Sequence, residues 1–413
     1  MRNISYFCTV KCLKNIPAAV IICAIMLIFS NIRATASVSQ PQSSLDSVKI
    51  SLLTCAPGDE VYSLYGHTAV RYTDYGKNID IAINYGVFSF NKPFFIIRFI
   101  FGKTDYEMGI VPFDYFCAEY KAEGRWIYQQ ELNLTAGEKE AIRDALETNF
   151  MPSNRTYRYN YFYDNCTTRP RDIIIANING SITYPDAEKE YPSYRELIHS
   201  MNEDSPWARF GNDLLLGVKA DKKTDLKAQQ FLPLRLMNDF ETARIKSRNG
   251  TVRPLVVSSS YVVKAGPQTI KSGFPLRPSA CAWIIFALVM AVTVFEIIAK
   301  RKIWPVDTLL LIFDGLVGII IFMMFFSEHP TTSTNLQILL FNPLPLVFVY
   351  RMSKRAADKR KEPLWYYAAA MLLLFFAGGF FQDYAEGMYI LASFLLIRCI
   401  WNIIYQNKYV PGK

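Results

Sequence analysis

Histidine is nearly absent from this chain, with three residues in 413, and no Cys-x-x-Cys pair occurs. That scarcity excludes a structural zinc site, which closes on four Cys or His ligands at short spacings. No metal or other cofactor is expected. Charge is also scarce: Asp, Glu, Lys and Arg make up 20% of the residues, against 51% hydrophobic ones. A disordered chain has the opposite balance and is excluded. No internal repeat or low-complexity tract is present, so solenoids and propellers are excluded too. The net charge is +9, yet no stretch presents a basic face interleaved with stacking aromatics, and no nucleic-acid partner is expected.

What is abundant is apolar sequence after residue 280. Five segments, at 280–299, 306–326, 331–350, 364–381 and 387–406, come near the ~20 residues that a bilayer crossing needs. The alternate loops 300–305, 351–363 and 406–413 hold Lys300, Arg301, Lys302, Arg351, Lys354, Arg355, Lys359, Arg360, Lys361, Lys408 and Lys413. The opposite loops, 327–335 and 382–386, hold neither Lys nor Arg. The positive-inside rule therefore puts the first set, and the C-terminus, in the cytoplasm. Two charges lie within the spans, Asp314 and Arg398, each ~12 Å deep at 1.5 Å per residue. An Asp314–Arg398 ion pair that locks two helices together is expected. The third span is interrupted by Asn342-Pro343-Leu344-Pro345, and the outer loop before it carries Glu328, His329 and Asn335. A polar loop beside a broken span suits an amphiphilic substrate, with His329 and Asn335 as candidate contacts.

The N-terminus has the form of a secretory signal peptide over 1–36: Arg2, Lys11 and Lys14, the apolar run Ile16 to Phe29, then Ala34-Thr35-Ala36. An uncleaved helix is the alternative; either way the following domain, 37–279, is exported. Strands are expected at 48–54, 68–73, 79–85 and 254–264, the second and third forming a hairpin about Gly76-Lys77. Helices are expected at 138–149 behind a Thr135 cap, at 166–178, at 193–201, and through most of 207–246.

Of eight Cys, only Cys55, Cys117 and Cys166 fall in the exported domain. Three is odd, so at least one thiol stays free unless it pairs between chains; a Cys55–Cys117 disulfide is possible. Cys166 has the setting of a reactive thiol. It follows Asp164-Asn165 and opens an apolar helix, where backbone N–H groups and Arg169 favour the thiolate. His199 and His329 are possible bases, but His67, at the start of the first hairpin strand, is better placed. A strand-borne His facing a helix-start Cys is a nucleophile-and-base arrangement. A buried core Cys and a hydrogen-bonded core His remain the alternative.

The order of His on a strand first and Asn-Cys at a helix later is similar to the circularly permuted NlpC/P60 and lecithin-retinol-acyltransferase-like group. More closely, the chain resembles the Bacteroidota lipoprotein N-acyltransferase (Lnb) family. The strings that carry the resemblance are TCAPGDEVYSLYGHTAVR (54–71), NYGVFSF (84–90), YNYFYDNCTTRPRD (159–172), FGNDLLLGVKAD (210–221) and SEHPTTSTNLQILLFNPL (327–344). The resemblance implies an α+β papain-like periplasmic domain followed by an all-α five-helix transmembrane domain. It makes Cys166 the nucleophile and His67 the base. A third polar residue on the strand after the His is implied near 84–86, which points to Asn84 as the group that orients the imidazole. Tyr65, Asp164 and Asn165 flank the pair as candidate substrate contacts. Arg71 and Arg169 could hold a phosphate or a developing oxyanion, or simply pair with Asp74 or Asp164.

The activity so implied is acyl transfer from a membrane phospholipid, through a Cys166 thioester, to the N-terminal amine of diacylglyceryl-cysteine lipoproteins. The implied location is the bacterial inner membrane, with the soluble domain in the periplasm. The alternatives are a membrane-anchored cysteine amidase or peptidase acting on peptidoglycan, and a non-enzymatic envelope receptor.

Overall fold

The computed structural model describes residues 45–88, 93–185, 190–267, 273–329 and 331–410. The leader expected at 1–36 lies outside them. A seven-stranded antiparallel sheet organises the first part of the chain. Its strands are β1 (Val48–Cys55), β2 (His67–Asp74), β3 (Ile79–Val87), β4 (Asp105–Pro112), β5 (Ile127–Leu132), β6 (Thr156–Arg158) and β10 (Val256–Val263), in the order β10-β5-β1-β2-β3-β4-β6. A smaller sheet joins β7 (Ser181–Thr183), β8 (Arg244–Lys246) and β9 (Val252–Pro254).

Side chains along β1 to β3 alternate between two cores, as the pleat requires. Val48, Ile50, Leu52, Val70, Tyr72, Ile83 and Tyr85 pack on one face against α3 (Ala136–Phe150), α4 (Thr168–Ala176) and α8 (Pro233–Thr242). Leu53, Cys55, Ala69 and Ala82 pack on the other against Phe113, Phe116 and Tyr120 of α2 (Phe113–Ala122). Helix α3 starts at the expected Thr135, in a capping box with Glu138.

Three expectations need correction. The helical stretch expected over 207–246 is broken into α6 (Pro206–Leu215), a 3₁₀ turn at Val218–Asp221, α7 (Leu226–Gln229) and α8. The breaks follow from Gly217 and Val218, whose N–H groups bond to Thr331 and Thr334 carbonyls, and from Pro233, which starts a new helix. The helix expected from 166 begins two residues later, at Thr168. Elements β4, β5, α2 and α1 (Phe95–Ile100) had no counterpart among the expected elements.

The C-terminal part is helical and apolar. Helices α9 (Pro278–Ala299), α10 (Trp304–Met324) and α14 (Met388–Tyr409) are each long and apolar enough to cross a bilayer. The third segment is broken: a 3₁₀ turn at Leu336–Leu339 and α11 (Leu344–Val347) meet α12 (Val349–Ala357) at a 70° bend. Pro343 and Pro345 interrupt the ladder there, and Gly318 of α10 leaves room for the Phe341 carbonyl where a Cβ would collide. The fourth segment, α13 (Leu364–Gly378), has 15 residues.

The expected Asp314–Arg398 pair does not form. Arg398 donates to Asp307 Oδ1 (2.9 and 2.8 Å), to Glu296 Oε2 (2.7 Å) and to Thr293 (3.0 Å). Its long side chain reaches toward the helix ends that carry Glu296 and Asp307, rather than across at its own level. Asp314 sits instead beside the break at Asn342.

Candidate functional site

Strand β2 begins at His67, opposite Cys55 of β1, and β3 runs back beside it, with Asn84 paired to Ala69. Alternation puts His67, Ala69 and Asn84 on one face, and the His67 Nε2–H lies 2.9 Å from Asn84 Oδ1. That contact holds the imidazole so that Nδ1 is left for a partner. The neighbour is Cys166, whose sulfur and the His67 ring act on each other's ionisation.

Cys166 is held by the turn before α4. The buried Asn165 side chain accepts the N–H groups of Thr167 (2.8 Å) and Thr168 (2.9 Å) and donates to the carbonyls of Tyr161 and Phe231, both at 2.9 Å. Thr68 of β2 bonds to Thr167 at 3.1 Å, tying this turn to the strand of His67. Opposite the sulfur, β3 bulges after Asn84 and Gly86 takes φ +91°; a Cβ there would stand 3.6 Å from Cys166 Cβ and 3.6 Å from the Tyr159 ring. At those distances a Cβ would make ordinary contact, so it is the positive φ, rather than lack of room, that calls for glycine here.

Burial opposes ionisation of Cys166, but the charge and ring hydrogen bond of His67, the Thr68 backbone N–H and the Thr167 hydroxyl outweigh it, and the thiol's pKa lies below its ordinary value. Burial likewise pulls His67 down, while the sulfur and the hydrogen bonds to Cys166 and Asn84 push it up; the net shift is upward. The pair is thereby biased toward thiolate and imidazolium. Cys55 is the contrast: it is fully buried, and burial pushes its pKa up to about 12, which the hydrogen bond from Tyr120 and the charge of Arg125 only partly offset. Cys55 and Cys117 are both free thiols, so the possible disulfide between them is not formed.

The structure brings Cys166, His67 and Asn84 together and gives most of the other candidates different work. Arg71 lies four residues along β2, bonded to Asp80 (2.8 and 2.6 Å) and Gln129 (2.8 Å) and stacked over Phe113. Its partner is Asp80 rather than Asp74. Arg169 pairs with Asp164 (2.6 and 2.7 Å) over the Tyr157 ring, one turn from Cys166. Tyr65 is buried, its hydroxyl receiving Asn202 (3.3 Å) and Asn212 of α6. Asn165 is consumed by the turn, as above. Asn335 is 1% exposed and donates to the Leu214 carbonyl (2.8 Å) while accepting from Gln337 and Gln382. Gln337 bonds to the Asp213 carbonyl and Gln382 to that of Leu216. Three amide side chains of the helical domain thus cap the last carbonyls of α6, and the same helix holds Tyr65, two residues before His67. His329 bonds to the Phe99 carbonyl at 3.0 Å, at the end of α1, and burial lowers its pKa. His199 is bound to Asp213 (2.8 and 2.9 Å) in α6.

Sequence reasoning missed Thr68, Thr167 and Gly86, although all three lie in or beside the strings that carry the resemblance. Among the described residues, no cluster of three or more His, Cys, Asp or Glu could hold a metal ion.

The family model described as the Lnb N-terminal periplasmic domain matches residues 34–200, and the one described as the Lnb transmembrane domain matches residues 269–409. Comparison with curated proteins and with solved structures returns no match. The two matched regions cover about three quarters of the sequence in the order expected, a sheet-rich α+β domain and then the apolar helices. This is a membrane protein with a periplasmic domain, and the chain belongs to the Lnb family.

Proposed function

We propose that the protein is a lipoprotein N-acyltransferase that works through a thioester on Cys166. The family supports the general role, and the Cys166–His67–Asn84 constellation supports the chemistry. The Cys166 thiolate attacks an ester carbonyl of a membrane phospholipid. The tetrahedral adduct collapses, the lysophospholipid alkoxide leaves with the proton of the His67 imidazolium, and the acyl chain stays on sulfur. The α-amine of a diacylglyceryl-cysteine lipoprotein then attacks the thioester, His67 takes the amine proton, and an amide and the thiolate result. Asn84 keeps the imidazole oriented through both halves. Residues 1–36 act as the export signal, 37–279 form the periplasmic catalytic domain, and 280–413 cross the inner membrane five times, with the C-terminus in the cytoplasm.

Holding the domain at the bilayer supplies effective concentration, because donor and acceptor are both anchored in the outer leaflet. The observation that carries the proposal is a thiol whose ionisation is favoured by a strand-borne imidazole, on a domain whose α6 is capped by side chains of the membrane part. Mass spectrometry of lipoprotein N-termini tests it, in cells whose only copy is Cys166→Ser. Loss of the N-terminal acyl chain is expected. Full N-acylation would overturn the proposal, and altered muropeptides with normal lipoproteins would favour the amidase.

A further inference from the structure

Helix α1 gathers three exposed large apolar side chains within six residues of sequence. The run Phe94 to Phe101 has one charged residue, Arg98, which is paired with Asp105 at 2.8 Å. Phe94 is 76% exposed, Ile97 51% and Phe99 45%. At six residues, the helix is far too short to span a bilayer. Its position is fixed by the helical domain. The Glu328 N–H donates to the Phe101 carbonyl (3.0 Å), His329 bonds to the Phe99 carbonyl, and Arg158 of β6 pairs with Glu328 at 2.7 Å. Those partners follow on α10, whose last turn exposes Phe322, with Phe326 exposed just beyond its end. The exposed rings of α1 therefore stand at the outer end of a membrane helix, the level at which aromatic side chains favour the bilayer interface.

From there a row of ring contacts leads inward. Phe99 packs on Phe95 (centroids 6.3 Å apart), Phe95 on Phe88 (5.9 Å), Phe88 on Tyr106 (4.8 Å) and Tyr106 on Tyr159 (4.2 Å). Tyr159 borders Gly86, opposite Cys166. We propose that α1 lies in the outer leaflet and that the aromatic row from Phe99 to Tyr159 receives an acyl chain of a bilayer phospholipid and leads its ester to Cys166. The inference rests on the thioester reading for its last step alone. The occupant is a lipid chain because the surface is apolar, continuous with the lipid-facing end of α10, and its one charge is already paired.

The full-length protein in vesicles of phosphatidylethanolamine and phosphatidylglycerol provides the test. With Ile97→p-benzoylphenylalanine, irradiation should give a lipid adduct at least about 10-fold above that from Tyr75→p-benzoylphenylalanine, at the exposed far turn of the β2–β3 hairpin, because only the former sits at the interface. Equal labelling would overturn the inference. The double variant Phe94→Ser/Ile97→Ser should lose at least about 10-fold in acylation of Cys166 from vesicle phospholipid, since two apolar anchors are removed. Its Cys166 should still be alkylated by iodoacetamide at the wild-type rate, which shows that the fold is intact. Undiminished acylation from the vesicles would overturn the inference. A lipid adduct at 97 in a protein whose Cys166 never takes an acyl chain would uphold the lipid-facing helix and defeat the thioester reading instead.

Discussion

Two regions of the molecule bury opposite charges side by side, and they do so in different ways. Between α9, α10 and α14, Arg398 and Lys302 meet Glu296 and Asp307. Arg398 bonds to both carboxylates, Lys302 lies 2.5 Å from Asp307, and Trp401 donates to Glu296 at 2.7 Å. All four charged side chains are at most 7% exposed. Every charge there is matched and shielded, which is the condition for a buried ion network to be tolerated in lipid. At Cys166 the sulfur meets the His67 ring, the Thr68 N–H and the Thr167 hydroxyl, and the residue is only partly buried. The same attraction that locks three helices in one place favours the charged form of a thiol in the other. Among the helices four charges offset one another, whereas at Cys166 one sulfur and one imidazole set each other's ionisation.

Breaking each cluster sharpens the contrast. Cys166→Ser should lower acyl transfer by about 10⁴-fold or more, because a serine hydroxyl is not ionised by a neighbouring imidazole at rest. Thermal unfolding in detergent should show its stability unchanged. Arg398→Ala should do the opposite, costing about 3–5 kcal/mol of stability by leaving Glu296 and Asp307 unpaired. The protein that survives should keep its rate per folded molecule; a rate loss without a stability loss would break the comparison.

Asn84→Ala comes next. Removing a hydrogen bond to a charged ring costs about 1.5–3 kcal/mol, or about 10- to 100-fold in rate. Its pH profile carries the sign. The thiolate is lost as pH falls through the lowered pKa of Cys166, and the imidazolium is lost as pH rises through the raised pKa of His67. Without Asn84, the upward push on His67 weakens, so the alkaline limb should move to lower pH while the acid limb moves less. An unmoved alkaline limb would show that Asn84 does not act through His67. Asn335→Ala should have the smallest effect, about 1–2 kcal/mol of stability, through the lost cap on α6. The readout is thermal unfolding, and unchanged stability would deny that these amides clamp the two domains.

The hairpin was legible in the sequence because apolar and β-branched residues flank the turn at Gly76-Lys77; folding there gives the window 84–86, and the resemblance supplied the need for a polar residue in it. Three of the apolar segments were legible by length, as α9, α10 and α14, while the third is bent at its prolines and the fourth forms a helix of 15 residues. Less legible were residues whose partners lie far along the chain. Gln130, in the middle of β5, is fully buried because it reaches Met237 and Glu241, more than 100 residues away, so the strand lacked the alternation that would reveal it. Tyr65, Asn165 and Asn335 looked like substrate contacts because they are polar and sit in distinctive strings. Their partners are Asn212, Phe231 and Leu214, and no local pattern announces such pairings. Arg398 was matched to the wrong acid because depth along a helix ignores how far an arginine side chain reaches. Helix α1 escaped because a six-residue helix of five apolar residues and Arg98 fits neither a span nor an alternating strand.

Trapping the acyl-enzyme tests the central claim most directly. Purified wild-type protein in phospholipid vesicles, quenched before any acceptor is added and digested, should yield the peptide carrying Cys166 with the mass of one acyl chain, released by hydroxylamine. His67→Ala should yield almost none. An acyl group on another residue, or an unmodified Cys166 in protein that is actively transferring, would contradict the account.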